Sequence, residues 1–391
     1  MSVQTSEVNA GDAAREGKSI TTRAAVMRAT GDPWEVVELT VDPPRDQEIL
    51  VRYVASGLCH SDEHLRTHDF WAGTARLPMV GGHEGSGVVE AVGPGVSSLE
   101  VGDHVVCSFL PACGHCRWCS TGRQNLCDLG ADLMQGSQVD GTFRFHDADG
   151  EDYGGLCMLG TFSQYGVISE HSAVKVDKSL PLEVAVLVGC GVPTGWGSSV
   201  YNAGVQAGET VAIYGIGGVG INAVQGAAYA GAKYLVAIDP LENKREAALR
   251  FGATHSAATA EEAHELIQQL TNGVGADKAV ITAGVVDAPT VSAAVEAISK
   301  GGTVTITGLA PVEEPTIQVP SASLTLFEKR IQGSLFGSSN PFHDITKMLD
   351  LYTAGQLKLD ELITKQYKLD EINQGYEDLL AGENLRGVII H

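Results

Sequence analysis

The sequence lacks the long apolar runs and the positive charge that would assign it to several large classes of protein. No run approaches the ~18–20 apolar residues that a membrane span needs. Lysine and arginine number 26 against 48 aspartates and glutamates, and the formal charge of −22 disfavours nucleic acids and anionic membranes as partners. The first 20 residues lack the apolar segment of a signal peptide and predict a disordered tail. We therefore expect a cytoplasmic protein that binds neither membrane nor nucleic acid.

The chain does contain enough apolar residues for full hydrophobic cores. Of its 391 residues, 43% are hydrophobic and 19% are charged, which is typical of a globular protein and sufficient for two domains. Eight cysteines occur without a secretion signal. That combination indicates metal or redox chemistry rather than disulfides.

The stretch Thr210–Asp239 has the pattern of a dinucleotide-binding unit. A strand, a helix and a second strand are predicted in order over Val211–Tyr214, Ile221–Ala230 and Tyr234–Ile238. The intervening turn is G-x-G-x-x-G at Gly215, Gly217 and Gly220, which permits a tight turn and close approach of a pyrophosphate. Asp239 follows Gly220 by 19 residues, where a carboxylate can accept hydrogen bonds from an adenosine ribose. The glycines alone are a weak signal, but this order of elements favours dinucleotide binding.

Two kinds of pattern divide the rest of the chain. Residues 22–108 contain short β-like runs punctuated by Gly and Pro, which predict an irregular β unit, and residues 109–165 predict long loops. From Glu183 onward, strands alternate with helices, as in a doubly wound parallel sheet. The later helices are predicted near Pro341–Ala354 and Asp370–Ala381, and a last strand, Arg386–Ile390, is predicted to return to the first unit. We expect a catalytic domain over 21–191 and 335–391 and a dinucleotide-binding domain over 192–334.

Four cysteines lie close together in the loop region. Cys113, Cys116, Cys119 and Cys127 have the spacing C-x2-C-x2-C-x7-C. Four thiolates this close can surround one tetrahedral zinc ion in a closed structural site. An iron–sulfur cluster is the rival interpretation, although the spacing differs from the usual bacterial one. Buried reduced cysteines are the third, although such cysteines rarely crowd a polar, glycine-rich loop.

A second group of potential ligands is scattered along the chain. Cys59 follows a predicted strand end, His83 follows a loop bounded by Pro, and Cys190 lies just before the dinucleotide-binding unit. Each of them alone is more often a structural residue. Together they offer two thiolates and an imidazole, and three protein ligands with one open position are typical of catalytic zinc.

The chain resembles the zinc-dependent medium-chain alcohol dehydrogenases from about Thr22 to His391. The motifs that carry the resemblance are Gly57-Leu-Cys59-His60-Ser61-Asp62, Gly82-His83-Glu84, the four-cysteine segment, Asp140-Gly-Thr-Phe-Arg-Phe, Gly160-Thr-Phe-Ser-Gln-Tyr165, Pro193-Thr-Gly-Trp-Gly197 and Gly215–Gly220. Within the animal-type branch it is most similar to bacterial nicotinoprotein alcohol dehydrogenases assayed with nitrosoaniline dyes. The resemblance implies an α/β fold: a doubly wound Rossmann domain and a mostly-β GroES-like catalytic domain with a zinc lobe.

The resemblance also implies a role for each matching residue. The catalytic zinc ligands would be Cys59, His83 and Cys190, with Asp62 orienting His83 and Glu84 next to the ion. The structural zinc ligands would be Cys113, Cys116, Cys119 and Cys127. The proton relay would comprise Ser61 and His64. The cofactor contacts would be His60, Thr194, Gly215, Gly217, Gly218, Val219, Gly220, Asp239, Lys244, Leu309 and Arg386. His60 departs from the family, because the animal enzymes commonly carry Arg there.

The substrate pocket is harder to assign from the sequence. Phe70, Phe109, Met158 and Leu159 match positions that line the pocket in the family, but ordinary core packing explains them equally well. The long loop Gln135–Gly155 is a candidate to fold over the cofactor cleft, with a subunit contact or a mobile surface excursion as the alternatives.

The implied function is oxidation of primary alcohols to aldehydes, with two zinc ions per chain and a tightly held NAD. A homodimer or homotetramer is expected, with a small-molecule alcohol as substrate and an electron-accepting partner to reoxidise the cofactor. One alternative is a thiol-dependent formaldehyde dehydrogenase, which needs a polar or cationic pocket. Another is a non-catalytic zinc- or dinucleotide-binding protein, which predicts a missing ligand or relay residue.

Overall fold

The structure, a computed structural model, describes residues 10–67, 75–310 and 316–391. Its strands are β1 (Ile20–Met27), β2 (Glu35–Val41), β3 (Glu48–Gly57), β4 (Met79–Val80), β5 (Gly85–Val92), β6 (His104–Cys107), β7 (Phe145–His146), β8 (Asp152–Gly155), β9 (Tyr165–Ser169), β10 (Ala173–Val176), β11 (Thr210–Tyr214), β12 (Tyr234–Ile238), β13 (His255–Ala257), β14 (Ala276–Ile281), β15 (Ile298–Ile306), β16 (Arg330–Gly333), β17 (Ile363–Tyr367) and β18 (Arg386–Ile390).

The α-helices connect and cover these strands. They are α1 (Ala10–Arg15), α2 (His60–Thr67), α3 (Arg117–Ser120), α4 (Leu182–Ala185), α5 (Gly191–Gly197), α6 (Gly220–Tyr229), α7 (Glu242–Arg250), α8 (Ala260–Leu270), α9 (Ala288–Ala297), α10 (Ser321–Leu326), α11 (Pro341–Thr353) and α12 (Ile372–Leu380). A π-helix, Ser198–Asn202, continues directly from α5. Among the described residues, no helix is both long and apolar enough to span a membrane.

The dinucleotide-binding unit is a parallel sheet with strand order β13-β12-β11-β14-β15-β16 among the described residues. β11 pairs with β12 from Thr210 opposite Tyr234 to Tyr214 opposite Ile238. All five residues of β11 are buried, as expected for a strand covered on both faces. From β11 the strands are added on one side as β12 and β13, and then on the other side as β14, β15 and β16. Ligands of such sheets bind where the order changes sides, so we expect them beyond the carboxyl end of β11. The predicted doubly wound sheet is confirmed.

The other unit is built from strands that pair mostly antiparallel, with the pairs β4–β8 and β17–β18 parallel. In the described ranges, β1, β2, β7, β8 and β4 close a small barrel, and a second sheet has the order β10-β6-β5-β3-β18-β17. β18 pairs with β3 on one side and with β17 on the other. The end of the sequence therefore returns to the first unit, as predicted, and places Arg386 at the start of a strand inside that sheet. The exact domain boundaries remain predictions.

One expectation about the chain's first residues is wrong. Residues 10–20 do not form a disordered tail, because Ala10–Arg15 is a helix and Ile20 begins β1. Ala14 is 5% exposed and joins the apolar cluster inside the barrel. Burial of this small face anchors the segment. The preceding residues, 1–9, lie outside the described part of the chain.

The expectation for Gln135–Gly155 also needs correction. The segment contributes β7 and β8 to the barrel, and Arg144 donates two hydrogen bonds to Glu48 at 2.8 and 2.6 Å. Arg144 is 2% exposed. Among the described residues that line the cofactor cleft, none belongs to this segment. It is therefore an integral part of the barrel rather than a cover over the cleft or a mobile excursion.

Candidate active site

Three different connections bring the scattered ligand candidates together. Cys59 follows β3, His83 lies between β4 and β5, and Cys190 precedes α5. The ligand atoms of these three residues and of Glu84 all lie within 4.8 Å of one another. His83 and Cys190 are buried. The donor set is two sulfurs and one imidazole nitrogen around a single point, which suits zinc.

Asp62 holds the imidazole of His83 from behind. The His83 Nδ1 lies 3.2 Å from the carboxylate of Asp62, which also accepts a hydrogen bond from the Gly82 N–H at 3.0 Å. Asp62 is fully buried. Because the carboxylate accepts from Nδ1–H, Nε2 is left as the nitrogen that can bind a metal.

The electrostatics of the cluster favour the charged thiolate. A hydrogen bond from Cys190 lowers the pKa of Cys59 well below its usual range, and the charge of His83 acts in the same direction. The Cys59 interaction and burial in turn raise the pKa of Cys190. Burial opposes charge on His83, but Asp62 and Cys59 raise its pKa well above 6.5. The cluster therefore holds a thiolate at Cys59 and a positive charge at His83 side by side.

Glu84 and Arg386 form a buried ion pair beside the cluster. Nη2 of Arg386 donates to Oε2 of Glu84, and Oε1 of Glu84 accepts from the Gly191 N–H at 3.1 Å. Burial raises the pKa of Glu84 to about 7, against the pull of the Arg386 guanidinium. The pair keeps a carboxylate within reach of the ligand atoms while balancing its charge.

The four-cysteine lobe is equally well formed. The Sγ atoms of Cys113 and Cys119 are 4.0 Å apart, and those of Cys116 and Cys127 are 3.9 Å apart. Sulfurs bound tetrahedrally at ~2.3 Å from zinc lie roughly 3.8 Å apart, so the spacing fits. Backbone N–H groups of Cys113, Cys116 and Cys119 donate to sulfurs of the cluster at 3.3–3.5 Å. All four positions are occupied by protein sulfur, which leaves this site closed.

A cavity of about 1730 Å³ joins the scattered cluster to the glycine-rich turn. Gly215 has φ +86°, and a Cβ on Gly220 would lie 1.9 Å from the Gly215 carbonyl oxygen. A Cβ on Gly217 would meet no atom within 4 Å, so this backbone is open to a ligand. Nε of Arg386 is buried without a hydrogen-bond partner, and its Cδ abuts Gly218. An unpaired donor beside an open glycine turn fits a pyrophosphate.

The remaining predicted cofactor residues lie on the walls of this cavity. They are His60, Thr194, Val219, Asp239, Lys244 and Leu309. The carboxylate of Asp239 accepts from the N–H groups of Ile216 and Leu241 at 2.8 and 2.9 Å, which fixes it at the end of β12. Nζ of Lys244 donates to the Asn384 carbonyl. Desolvation lowers the pKa of His60, which favours the neutral imidazole on this wall.

The two relay candidates also line the cavity. The hydroxyl oxygen of Ser61 is 3.7 Å from the Cys59 sulfur. Nε2 of His64 is 3.1 Å from the Gly284 carbonyl oxygen. A carbonyl only accepts, so Nε2 of His64 carries the hydrogen in this contact. His64 is only 4% exposed, which places the relay under the dinucleotide-binding unit rather than at the surface.

The apolar pocket differs from its predicted lining. Phe109 lies in the wall as expected, but Leu159 is fully buried in the core and neither it nor Met158 lines the cavity. Leu156 and Cys157 take their place. Cys157 and Met158 have φ +55° and +64°, which changes the side chains that face the cavity. Phe70 lies outside the described residues.

Sequence reasoning missed Phe336 altogether. Its ring packs edge-on against Phe109, with centroids 5.2 Å apart, and it lines the cavity. Phe336 has φ +54°, and nothing in the sequence signals this conformation. The following Gly337 is the one local cue, because it indicates a turn.

Comparisons with known proteins agree with the geometry. Residues 45–178 match the alcohol dehydrogenase GroES-like domain, and residues 218–354 match the zinc-binding dehydrogenase family. The chain is 57% identical over 370 residues to the NDMA-dependent alcohol dehydrogenase of Amycolatopsis methanolica, covering 95% of this chain and 99% of that protein.

Two solved structures share the fold over nearly their whole length. An alcohol dehydrogenase zinc-binding domain protein from Burkholderia ambifaria superposes with a TM-score of 0.89 at 35% identity, covering 95% of this chain and 99% of that one. The benzyl alcohol dehydrogenase of Acinetobacter calcoaceticus superposes with a TM-score of 0.87 at 32% identity and the same coverage.

Proposed function

Because the chain belongs to the zinc-binding alcohol dehydrogenase family, we propose that it oxidises primary alcohols to aldehydes and keeps its nicotinamide cofactor bound through turnover. The main support for this proposal is that Cys59, His83 and Cys190 converge on the wall of the cavity that also contains the glycine-rich turn. Hydride transfer from an alcohol to a nicotinamide would require the metal-ligating residues and the cofactor site to be this close. All the ligand and relay residues are present, which argues against a non-catalytic zinc- or dinucleotide-binding protein.

The chain's own residues divide the chemical work. Zinc, when bound, supplies Lewis acidity, and the nicotinamide accepts a hydride. Cys59, His83 and Cys190 would hold the metal with one position open, and Asp62 keeps His83 in the binding tautomer. Ser61 lies beside Cys59, and its hydroxyl would accept the alcohol proton while its own proton moves on toward His64.

The shape and polarity of the pocket support the substrate class. Its walls near the metal site are apolar, with Phe109, Leu133, Leu156 and Phe336 among the residues that form them. Such walls favour medium aliphatic or benzylic alcohols. A thiol-dependent formaldehyde dehydrogenase would need polar or cationic groups at this place, and the apolar side chains favour the simple alcohol.

We assign NAD rather than NADP as the cofactor. The carboxylate of Asp239 stands at the end of β12, where a 2′-phosphate would meet its negative charge. Lys244 does not offset that charge freely, because its Nζ is engaged by the Asn384 carbonyl. Extraction of the bound cofactor followed by mass spectrometry tests this, and recovery mainly of NADP would overturn it.

Retention of the cofactor is the sharpest test of the proposed function. The similarity to an NDMA-dependent enzyme supports it, and buried Arg386 offers an enclosed phosphate partner. Purified protein should carry nicotinamide through extensive desalting and develop the absorbance of the reduced cofactor when benzyl alcohol is added. Turnover should be rapid with a nitrosoaniline dye and slow with added NAD. A cofactor-free sample that runs normally on added NAD would instead identify an ordinary dissociable dehydrogenase.

The remaining assignments concern assembly and location. We assign two zinc ions per chain, a homodimer or homotetramer, an electron-accepting partner and a cytoplasmic location. β16 forms an edge of the parallel sheet among the described residues, and Leu326 and Phe327 are exposed nearby. An exposed edge with apolar neighbours favours pairing with a second copy. Light scattering of the purified protein tests the oligomer, and elemental analysis tests the zinc count.

A further inference from the structure

An aromatic wall leads away from the candidate metal site. The Phe109 ring stands nearly perpendicular to the His83 ring, at 79° with centroids 5.7 Å apart. The Phe336 ring stands at 86° to Phe109, with centroids 5.2 Å apart. Both rings line the cavity. An alcohol with its oxygen near His83 would extend its carbon chain past Phe109, and the ring of Phe336, only 1% exposed, fills the space beyond.

Phe336 occupies an unusual turn. Phe336, Gly337 and Ser338 have φ of +54°, +63° and +57° in succession. Two of these three residues carry side chains, for which this region costs free energy. A Cβ at Gly337 would lie 2.4 Å from the Pro193 carbonyl oxygen, so the turn is pressed directly against α5. Such a conformation persists only where neighbouring groups impose it.

Asn202, the last residue of the π-helix, supplies many of those contacts. Its side-chain amide donates to the Gly333 carbonyl at 3.1 Å and to the Ser338 hydroxyl at 2.9 Å, one on each side of Phe336. Its side-chain oxygen accepts from the Thr305 hydroxyl at 3.0 Å. The Asn202 side chain therefore links β15 to Gly333, which precedes the turn, and to Ser338 at the end of the turn. π-helical segments often occur at functional sites.

We propose that Phe336 sets the size limit for the apolar part of the alcohol, and that Asn202 positions Phe336 through the turn Leu335–Ser338. The substrate class that follows is primary alcohols with a flat or unbranched apolar group. This inference rests on the proposed function for the identity of the substrate. The contacts that hold the wall are independent of it.

The first experiment compares Phe336→Ala and the milder Phe336→Leu with the unaltered enzyme. The measured quantity is kcat/KM for 4-isopropylbenzyl alcohol divided by that for 1-propanol. Because small changes in an apolar pocket alter discrimination by roughly 10–200-fold, Phe336→Ala should raise the ratio about tenfold or more. Phe336→Leu should raise it less, in the same direction. Ratios within twofold of the unaltered enzyme in both variants would overturn the proposal.

Asn202→Ala tests the positioning role. It leaves both aromatic rings in place, so it should raise the same ratio about threefold only if the turn relaxes. Asn373→Ala is the control, because the Asn373 amide likewise hydrogen-bonds to distant residues, with two bonds to the backbone of Trp34 at 2.9 Å, away from the turn. The control should lower Tm without changing the ratio. An Asn202→Ala variant that loses stability like the control and leaves the ratio unchanged would show a purely structural role.

A binding measurement separates this inference from the proposed function. Calorimetry with trifluoroethanol and pentafluorobenzyl alcohol reports the pocket without turnover. In Phe336→Ala, the dissociation constant of pentafluorobenzyl alcohol should fall relative to that of trifluoroethanol. If the protein fails to oxidise alcohols yet shows this shift, the proposed function fails and the wall stands. If alcohols are oxidised and neither ratio moves, the proposed function stands and the wall is wrong.

Discussion

The tetracysteine lobe collects its four sulfurs from 15 consecutive residues, whereas Cys59 and Cys190 are 131 residues apart in the sequence. The lobe contributes only a small apolar cluster of its own, consisting of Ala112 and the cysteines with Leu129. The scattered cluster lies among large buried cores and is held by Asp62, Glu84 and Arg386. We therefore expect metal binding to supply much of the folding free energy of the lobe, and the fold around the scattered cluster to form without a metal.

Replacing Cys59 tests the scattered cluster, and we expect it to have the largest effect on activity. Cys59→Ala removes a ligand from the open site without touching the core, so activity should fall about 10³-fold or more while Tm changes little. Elemental analysis should show the loss of one zinc per chain. Full activity in this variant would refute the ligand assignment.

Replacing Cys116 should have the opposite pattern. Cys116→Ala opens the closed site, and we expect a loss of about 4 kcal/mol, or roughly 10 °C in Tm, because the lobe has little core of its own. Calorimetry together with a zinc measurement gives the result. Cofactor still bound at low temperature would locate the damage in the lobe, whereas an unchanged Tm would contradict metal-dependent folding.

Asp62→Asn tests the group that orients the ligand His83 rather than a ligand itself. The amide keeps the shape but loses the charge that faces His83, so zinc affinity at the open site should fall about 10–100-fold. Competition with a chelator measures this, with the lobe zinc as an internal reference. Equal weakening of both sites would indicate a general loss of structure.

We expect the smallest effect at the contact between the four-cysteine lobe and the turn beside the substrate pocket. Asn125, in the lobe, donates from its side chain to the Leu335 carbonyl at 3.0 Å. Asn125→Ala should cost about 1 kcal/mol of stability. Because Leu335 precedes Phe336, we also expect a slight change in the preference between small and large alcohols. A variant with unchanged stability would show that the lobe is mechanically independent of the pocket.

The regular elements were largely predictable because their signals are local. The predicted strands Tyr234–Ile238 and Arg386–Ile390 match β12 and β18 to the residue, and the four-cysteine spacing predicted a compact cluster. Apolar runs bounded by glycine or charged residues carry that information within a few positions.

The errors arise where the backbone departs from common conformations or where burial depends on distant residues. Left-handed Cys157 and Met158 alter the side chains that face the pocket, and no neighbouring residue type announces this. The short helix Ala10–Arg15 is stabilised by packing on β5, a contact that six residues of local sequence cannot reveal. Convergence of Cys59, His83 and Cys190 likewise needed knowledge of a family, because spacing along the chain says nothing about it.

The position of β18 inside the sheet, between β3 and β17, has a consequence for biosynthesis. Glu84 and its countercharge Arg386 are separated by 302 positions in the chain. At cellular rates of synthesis, roughly 15–60 s pass between the two residues leaving the ribosome's catalytic centre. During that interval the sheet β10-β6-β5-β3 lacks β18, and the buried carboxylate has no guanidinium. The buried ion pair beside the open site therefore forms only after 302 further residues are made, whereas the lobe has all four sulfurs within 15 residues.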